Sequence, residues 1–342
     1  MSCWWNTWNS LNNVRTINES YGTGEEVLCS PKLYQLLKDS VKAYELTDGM
    51  FNIFTGAVSD FWDDVFASYY EGEDVIEIDP YFNANQKERL ESLVSRVPND
   101  KDSFASQLTF NDEKMSVIFN KIGIDENAED PYRPFISVGG IGKGLATDYV
   151  KEKLVSLGYK DGILLSGGST ISSLSKPIYS SKVKGQKIVI NNPIKSNYFQ
   201  KVPAFSFQIG EEFNLSTSAN DSATKNYWFV DTNTSEQMYY RHHIINPKTG
   251  YPESYHRSIT IFSYNLSNGL LDVLSTAFMN LNLEDGMKLK EKVLSTYPNS
   301  SLEILYLDQS GYGENASVSV YATSSINDTL VVEEGVGINY EK

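Results

Sequence analysis

Two of the chain's three histidines stand side by side in Arg241-His242-His243-Ile244-Ile245-Asn246-Pro247-Lys248-Thr249-Gly250-Tyr251-Pro252. Imidazole changes charge near neutral pH, which suits it to general acid or base work. Here it precedes a turn, because Pro fixes φ and Gly accepts a positive one. The segment reads either as a rigid loop presenting a catalytic imidazole or as a structural turn with one solvated and one half-buried histidine.

Asp272, Ser275 and Thr276 form a second group. Helical spacing would put all three on one face. A carboxylate beside hydroxyls is a hard-oxygen set, suited to Mg²⁺ with water and substrate phosphate completing the shell. Asp272 acting as a helix cap explains the same residues without a metal. A third group, Ser137-Val138-Gly139-Gly140-Ile141-Gly142-Lys143-Gly144, carries four glycines into a predicted helix. Backbone N–H groups could approach an anion closely there, and Lys143 favours a phosphate or carboxylate partner. A Walker A loop would need Gly at Ser137 and Ser or Thr at Gly144. A tight turn packing a helix on a sheet is the alternative. Ser216-Thr217-Ser218-Ala219-Asn220 reads as a small polar turn that could admit a ligand.

The elements that must position these groups follow from periodicity and punctuation. Ser30-Pro31 opens a helix with Leu33, Leu36, Leu37, Val41 and Tyr44 on one face, ending in the turn Thr47 to Asn52. Residues 67–114 are polar and acidic, with one amphipathic helix near Gln86 to Val97, and read as a surface elaboration. A helix is predicted from Gly144 to Leu157, then a buried strand from Gly162 to Leu165 that breaks at Gly167-Gly168. Strand-like runs follow at Lys187–Ile190, Ala204–Ile209 and Ser258–Tyr264. Helices are predicted over Leu271–Leu281 and Glu284–Leu294, and the tail from Ser301 to Ile338 alternates like strands. Runs of strands broken by a few long helices indicate an α+β fold.

Composition narrows the partners. A chain of 342 residues, 40% apolar and 13% aromatic, is long enough for a sizeable core. A net charge of −15 excludes the basic footprint of a nucleic-acid binder. It equally opposes adhesion to anionic lipid. An acidic protein acting on an anionic substrate needs a metal or local N–H groups. Cys3 and Cys29, the only two cysteines, form no disulfide framework. No apolar run of about eighteen residues exists to span a membrane, and the first residues show no signal-peptide pattern or lipobox.

Taken together, Ser137 to Asp148, Ser166 to Thr170, Ser216 to Asn220, His243 to Pro252 and Asp272 to Ala277 resemble, in order and spacing, the ApbE-type FAD:protein FMN transferases. Trp5-Asn6-Thr7-Trp8 through Ile17-Asn18 and Thr47 to Phe51 resemble the family's early motifs. The resemblance spans roughly residues 5–325. It implies an ApbE-like (T-fold-like) architecture with mixed and antiparallel sheets. It further implies one domain over residues 1–342, of two packed lobes with a flavin site between them.

The implied activity is Mg²⁺-dependent transfer of FMN from FAD to a Thr or Ser hydroxyl of an acceptor protein, with release of AMP. The resemblance assigns Mg²⁺ to Asp272, Thr276 and the Gly140 carbonyl, with Ser275 assisting. It assigns FAD contacts to Ser137, Gly139, Lys143, Ser218 and Ile245, and the base to His243. His242 is expected as a neighbour or exposed, and His256 as structural. An extracytoplasmic location is implied too. The sequence departs from the family at Ser137, Asn246 and Asn52, where Asp is usual, and at Ala219, where Gly is usual. The strand usually preceding Trp5 is missing or rewritten. FAD pyrophosphatase activity and a non-catalytic FAD-binding paralogue are the alternatives, with Asp221-Ser222-Ala223-Thr224 as a faint acceptor-like motif.

Overall fold

The computed structural model describes residues 12–121, 134–176, 185–196, 200–220, 224–231, 237–326 and 328–341. The Trp5–Trp8 motif and Asp221 to Ala223 lie outside the described residues. The chain divides into two compact units, residues 1–139 with 245–252 and residues 140–244 with 253–342.

The first unit is mainly helical. Asn13 caps α1 (Val14–Glu19), and Ser30 caps α2 (Pro31–Leu46) by accepting from the Leu33 N–H at 3.2 Å. Strand β1 (Glu26–Leu28) lies between them. Then follow α3 (Gly56–Glu71), α4 (Val75–Ile78), α5 (Ala84–Val94), α6 (Lys101–Ser106), β2 (Leu108–Asn111) and β3 (Ser116–Phe119). The strands pair antiparallel in the order β1-β3-β2. Trp62, Phe61, Phe66, Phe54 and Phe119 are fully buried in this unit.

Residues 67–114 are more than a surface elaboration. They contribute Ile78, Leu90, Leu93, Phe104 and Leu108 to the buried set. Their polar composition hid this because short capped helices bury one stripe and leave the rest wet. The Asn52 side chain accepts from the Phe54 N–H and donates to the Pro98 carbonyl at 2.8 Å. A carboxylate at this position could make the first bond but not the second.

The second unit begins with α7 (Gly142–Ser156). It continues through β4 (Ile163–Ser166), β5 (Thr170–Ser173), β6 (Gln186–Asn191), β7 (Pro203–Ile209), β8 (Asn214–Ala219), β9 (Asn226–Asp231), β10 (Gln237–His242) and β11 (Ser258–Ser263). The helices α8 (Asn268–Met279) and α9 (Leu283–Thr296) follow, then β12 (Glu303–Ser310), β13 (Ser317–Ala322), β14 (Val331–Val332) and β15 (Val336–Tyr340). Among the described residues a seven-stranded sheet has the order β15-β13-β12-β11-β8-β5-β4, and β14-β7-β6 form a smaller sheet. Leu215 and Phe262 belong to a cluster with Phe205, Phe207 and Ile209.

The opposite sides of β8 and β11 face α8, which explains why every residue of β11 is buried. Side chains alternate across a strand, so covering both faces removes any polar side. Two expectations change here. Ser216–Asn220 is mostly strand β8 at the middle of the sheet, not a turn. Gly162–Leu165 is not buried: β4 is the sheet's edge, with Leu165 72% exposed. An apolar run alone cannot distinguish a central strand from an edge.

Candidate functional site

Helix α8 starts at the Ser267 cap and carries Asp272, Ser275 and Thr276. Its first turn is fastened to α7 by two residues four apart. Gly144 lies so close that an added Cβ would meet the Asn268 carbonyl oxygen at 2.2 Å. Asp148 accepts from the Asn268 N–H at 3.0 Å and the Gly269 N–H at 2.9 Å. The i,i+4 spacing of Gly144 and Asp148 is the signal that could have identified this pairing.

The crossing brings the Gly144 N–H within 3.0 Å of Asp272 Oδ2. Lys143 Nζ lies 3.6 Å from Oδ1 of the same carboxylate. Asp272 is 2% exposed, and burial pushes its carboxyl above the ordinary range, opposed by the Lys143 charge and by the Gly144 N–H. Asp272 is thus a desolvated carboxylate ion-paired with Lys143 and held by the Gly144 N–H.

Two hydroxyls of α8 bond to the main-chain carbonyl of the same residue. Thr276 Oγ1 donates to the Asp272 carbonyl at 2.9 Å, which leaves its lone pairs available as acceptors. Ser275 Oγ donates to the same carbonyl at 3.1 Å. With its proton so placed, Ser275 accepts from Ser216 Oγ at 3.1 Å and Ser218 Oγ at 2.9 Å. Its hydrogen-bonding capacity is thereby filled, and it ties α8 to β8. Sequence reasoning did not find Ser216 in this role, because residues 59 apart carry no spacing signal.

Among the described residues no three His, Cys, Asp or Glu side chains cluster for a metal. One buried carboxylate on the same helix face as the Thr276 hydroxyl is nonetheless a hard-oxygen set that fits Mg²⁺, which commonly takes one or two carboxylates and fills its shell with water and phosphate. Gly140 and Lys143 flank the start of α7, whose Ile141 cap makes no side-chain bond. A Cβ on Gly167 would lie 3.7 Å from Lys143 Cδ, so the β4–β5 turn adjoins the lysine.

The two adjacent histidines differ sharply. His242 is fully buried, which excludes the exposed alternative for it. Its Nδ1 accepts from the Ile244 N–H at 3.2 Å, so Nε2 carries the proton toward the Glu253 carbonyl, 2.7 Å away. Burial pushes its pKa down to about 3, with the Glu253 carbonyl opposing and the cationic neighbours adding to the fall. His242 is thus a neutral structural ring. His243 is exposed, one residue beyond the end of β10. His256 is buried, with Nδ1 2.6 Å from Asp308 Oδ1 and Nε2 3.0 Å from the Leu281 carbonyl.

Ser137, Gly139 and Ile245 belong to the first unit. There the Ser137 N–H donates to the Ile53 carbonyl at 2.7 Å, and Asn18 brackets Ile136 with bonds of 2.7 and 3.0 Å. The turn after Ile245 is closed by the Asn246 side chain, which accepts from the Lys248 N–H at 2.9 Å. Gly250 has φ +75°, and its carbonyl accepts from Trp62 Nε1 at 2.7 Å.

The sequence model of the ApbE family matches residues 2–297, most of the chain. The chain belongs to the ApbE family. Solved structures share the ApbE fold. The ApbE protein of Thermotoga maritima is 22% identical with a TM-score of 0.58, over 86% of this chain and 78% of that one. Flavin transferase ApbE from Vibrio cholerae is 19% identical with a TM-score of 0.60, over 92% and 82%. The apo flavinyl transferase ApbE of Pseudomonas stutzeri is 14% identical with a TM-score of 0.61, over 95% and 82%. No curated protein matches the sequence. No helix among the described residues of this ApbE-family chain is long and apolar enough to cross a membrane.

Proposed function

We propose that this ApbE-family chain transfers FMN from FAD to a threonine or serine hydroxyl of an acceptor polypeptide, releasing AMP. The observation that carries the reading is the buried Asp272 carboxylate, set beside Thr276 and at the amino end of α7. Gly140, Asp272 and Thr276 would hold Mg²⁺, with Ser275 holding α8 in place. The bound ion would neutralise the diphosphate and stabilise the departing AMP. Lys143 and Ser218 are proposed as FAD contacts in the second unit. Ser137, Gly139 and Ile245 are assigned to FAD by family resemblance.

The exposed His243 takes the proton from the acceptor hydroxyl as its oxygen bonds to the FMN phosphorus. The bond from that phosphorus to the AMP oxygen breaks, and AMP leaves as the phosphate anion. His242 cannot share this work, since burial keeps it neutral with its proton committed to the Glu253 carbonyl.

Incubation with FAD, MgCl₂ and a pool of synthetic twelve-residue peptides, each carrying one central threonine, tests the reading. AMP with FMN-labelled peptide is expected by mass spectrometry, and both should disappear in a folded His243→Ala variant. FMN and AMP without labelled peptide would assign FAD hydrolysis. Bound but intact FAD would assign a binding protein. An extracytoplasmic location is proposed on the same resemblance, and fractionation of the native cells tests it.

A further inference from the structure

The first N–H groups of a helix find no acceptor within it. Ile141, at the cap position of α7, makes no side-chain bond, and Ser267, at that of α8, accepts from the Leu270 N–H at 3.2 Å. Each helix draws further acceptors from the other. Asp272 of α8 accepts from the Gly144 N–H, in the first turn of α7. Asp148 of α7 accepts from the N–H groups of Asn268 and Gly269, the opening residues of α8, at 3.0 and 2.9 Å, and from Asn268 Nδ2 at 2.7 Å.

The reciprocity is written in the spacing: Asp148 stands four residues after Gly144, and Asp272 four after Asn268. Each carboxylate lies at the positive end of the opposite helix, where negative charge is stabilised. Glycine lets the two helices meet there. A Cβ on Gly144 would stand 2.2 Å from the Asn268 carbonyl oxygen, and one on Gly269 would stand 2.7 Å from Leu145 Cδ2 and 3.5 Å from Asp148 Oδ2. With bare backbone at the contact, hydrogen bonds to the two carboxylates set how α8 seats on α7.

The carboxylates divide the work. Asp272 is buried, ion-paired with Lys143 and assigned above to Mg²⁺ together with the Gly140 carbonyl. Asp148 is half-buried, turns both oxygens to the first turn of α8, and is assigned no ligand. Gly140 precedes α7 while Asp272 sits on α8, so the separation of these two metal donors follows the seating of one helix on the other.

We propose that Asp148 is a positioning residue for the metal: by holding the first turn of α8, it fixes the Asp272 carboxylate relative to the Gly140 carbonyl and acts on the ion only through them. The proposal rests on the transferase reading above, through its magnesium site.

Asp148→Asn keeps an acceptor for Asn268 but turns an amide N–H₂ toward the Gly269 N–H. Mn²⁺ is the probe, titrated by electron paramagnetic resonance into protein loaded with stoichiometric FAD. The variant should bind Mn²⁺ more weakly by about tenfold or more, while FAD affinity without metal, read by flavin fluorescence, stays at the wild-type value. Val293→Ala, a core variant on α9, controls for lost stability, and below its melting temperature it should bind Mn²⁺ as wild type does. Unchanged Mn²⁺ affinity in folded Asp148→Asn, or an equal loss in Val293→Ala, overturns the positioning role and leaves the transferase reading standing. If Asp148→Asn does not fold, Asp148→Glu, which keeps the charge but displaces it along a longer side chain, decides by the same measurement. A wild-type protein that takes up no Mn²⁺ with FAD bound overturns the magnesium site and the positioning role together.

Discussion

The Gly144 N–H donates to Asp272 Oδ2 at 3.0 Å, joining the amino end of one helix to a carboxylate buried in another. This contact exists because Gly144 lacks a side chain where α7 meets the Asn268 carbonyl. It holds the Asp272 carboxylate in place without neutralising it. Four consequences can be measured.

Asp272→Asn keeps an acceptor for Gly144 but removes the charge. Burial already disfavours that charge, so the metal-free variant should melt at the wild-type temperature or higher. Magnesium-dependent AMP release should fall by about two orders of magnitude or more. A variant clearly less stable than wild type without magnesium would contradict the account of Asp272 as a charge awaiting a cation.

Ser275→Ala strands the hydroxyls of Ser216 and Ser218, which both donate to Ser275 Oγ. Ser216 is buried and Ser218 half-buried, and an orphaned buried donor costs roughly 1–3 kcal/mol. Chemical denaturation should therefore show a loss in the single variant, and adding Ser216→Ala and Ser218→Ala should recover part of it. Strictly additive losses would mean that the three hydroxyls do not act as a network.

His242 makes stability pH-dependent. Its folded pKa, about 3, lies below the 6.5 of a free imidazole, so the unfolded chain takes up the proton first. The stability due to the neutral ring is complete above 6.5 and drains away as pH falls toward 3. Urea unfolding of His242→Gln should depend less on pH across that window than wild type. Identical slopes would remove His242 from the acid limb.

Gly144→Ala drives a methyl group into the Asn268 backbone, which cannot rotate aside. Overpacking of this kind costs about 1–3 kcal/mol, and α7 must shift from α8. The variant should lose both melting temperature and magnesium affinity. Alanine at Gly139 has far more room, its Cβ meeting among the described residues only Ser137 Oγ at 3.9 Å, and should leave stability nearly unchanged.

Much of the first layer was legible in the chain itself. Ser30-Pro31 starts a helix where predicted, because a side-chain acceptor and a fixed φ act within one turn. The spacing of Asp272, Ser275 and Thr276 puts them on one helix for the same local reason. The motifs identified the family because their order along the chain is itself a sequence property.

What needed the tertiary structure is everything set by distant neighbours. The pattern of 67–114 could not reveal buried Leu90 and Phe104, since a polar segment can still bury a narrow stripe. An apolar strand at 162–165 is an edge because of which strand lies beside it, and that is decided by sheet order. Adjacent histidines became a neutral buried ring and an exposed one only when β10 paired and Glu253 arrived as an acceptor. Sequence determined which groups are available and which local turns they occupy. Folding alone determined which of them lost water, and desolvation is what pushes the Asp272 carboxyl above its ordinary range and leaves His242 a neutral, inert ring.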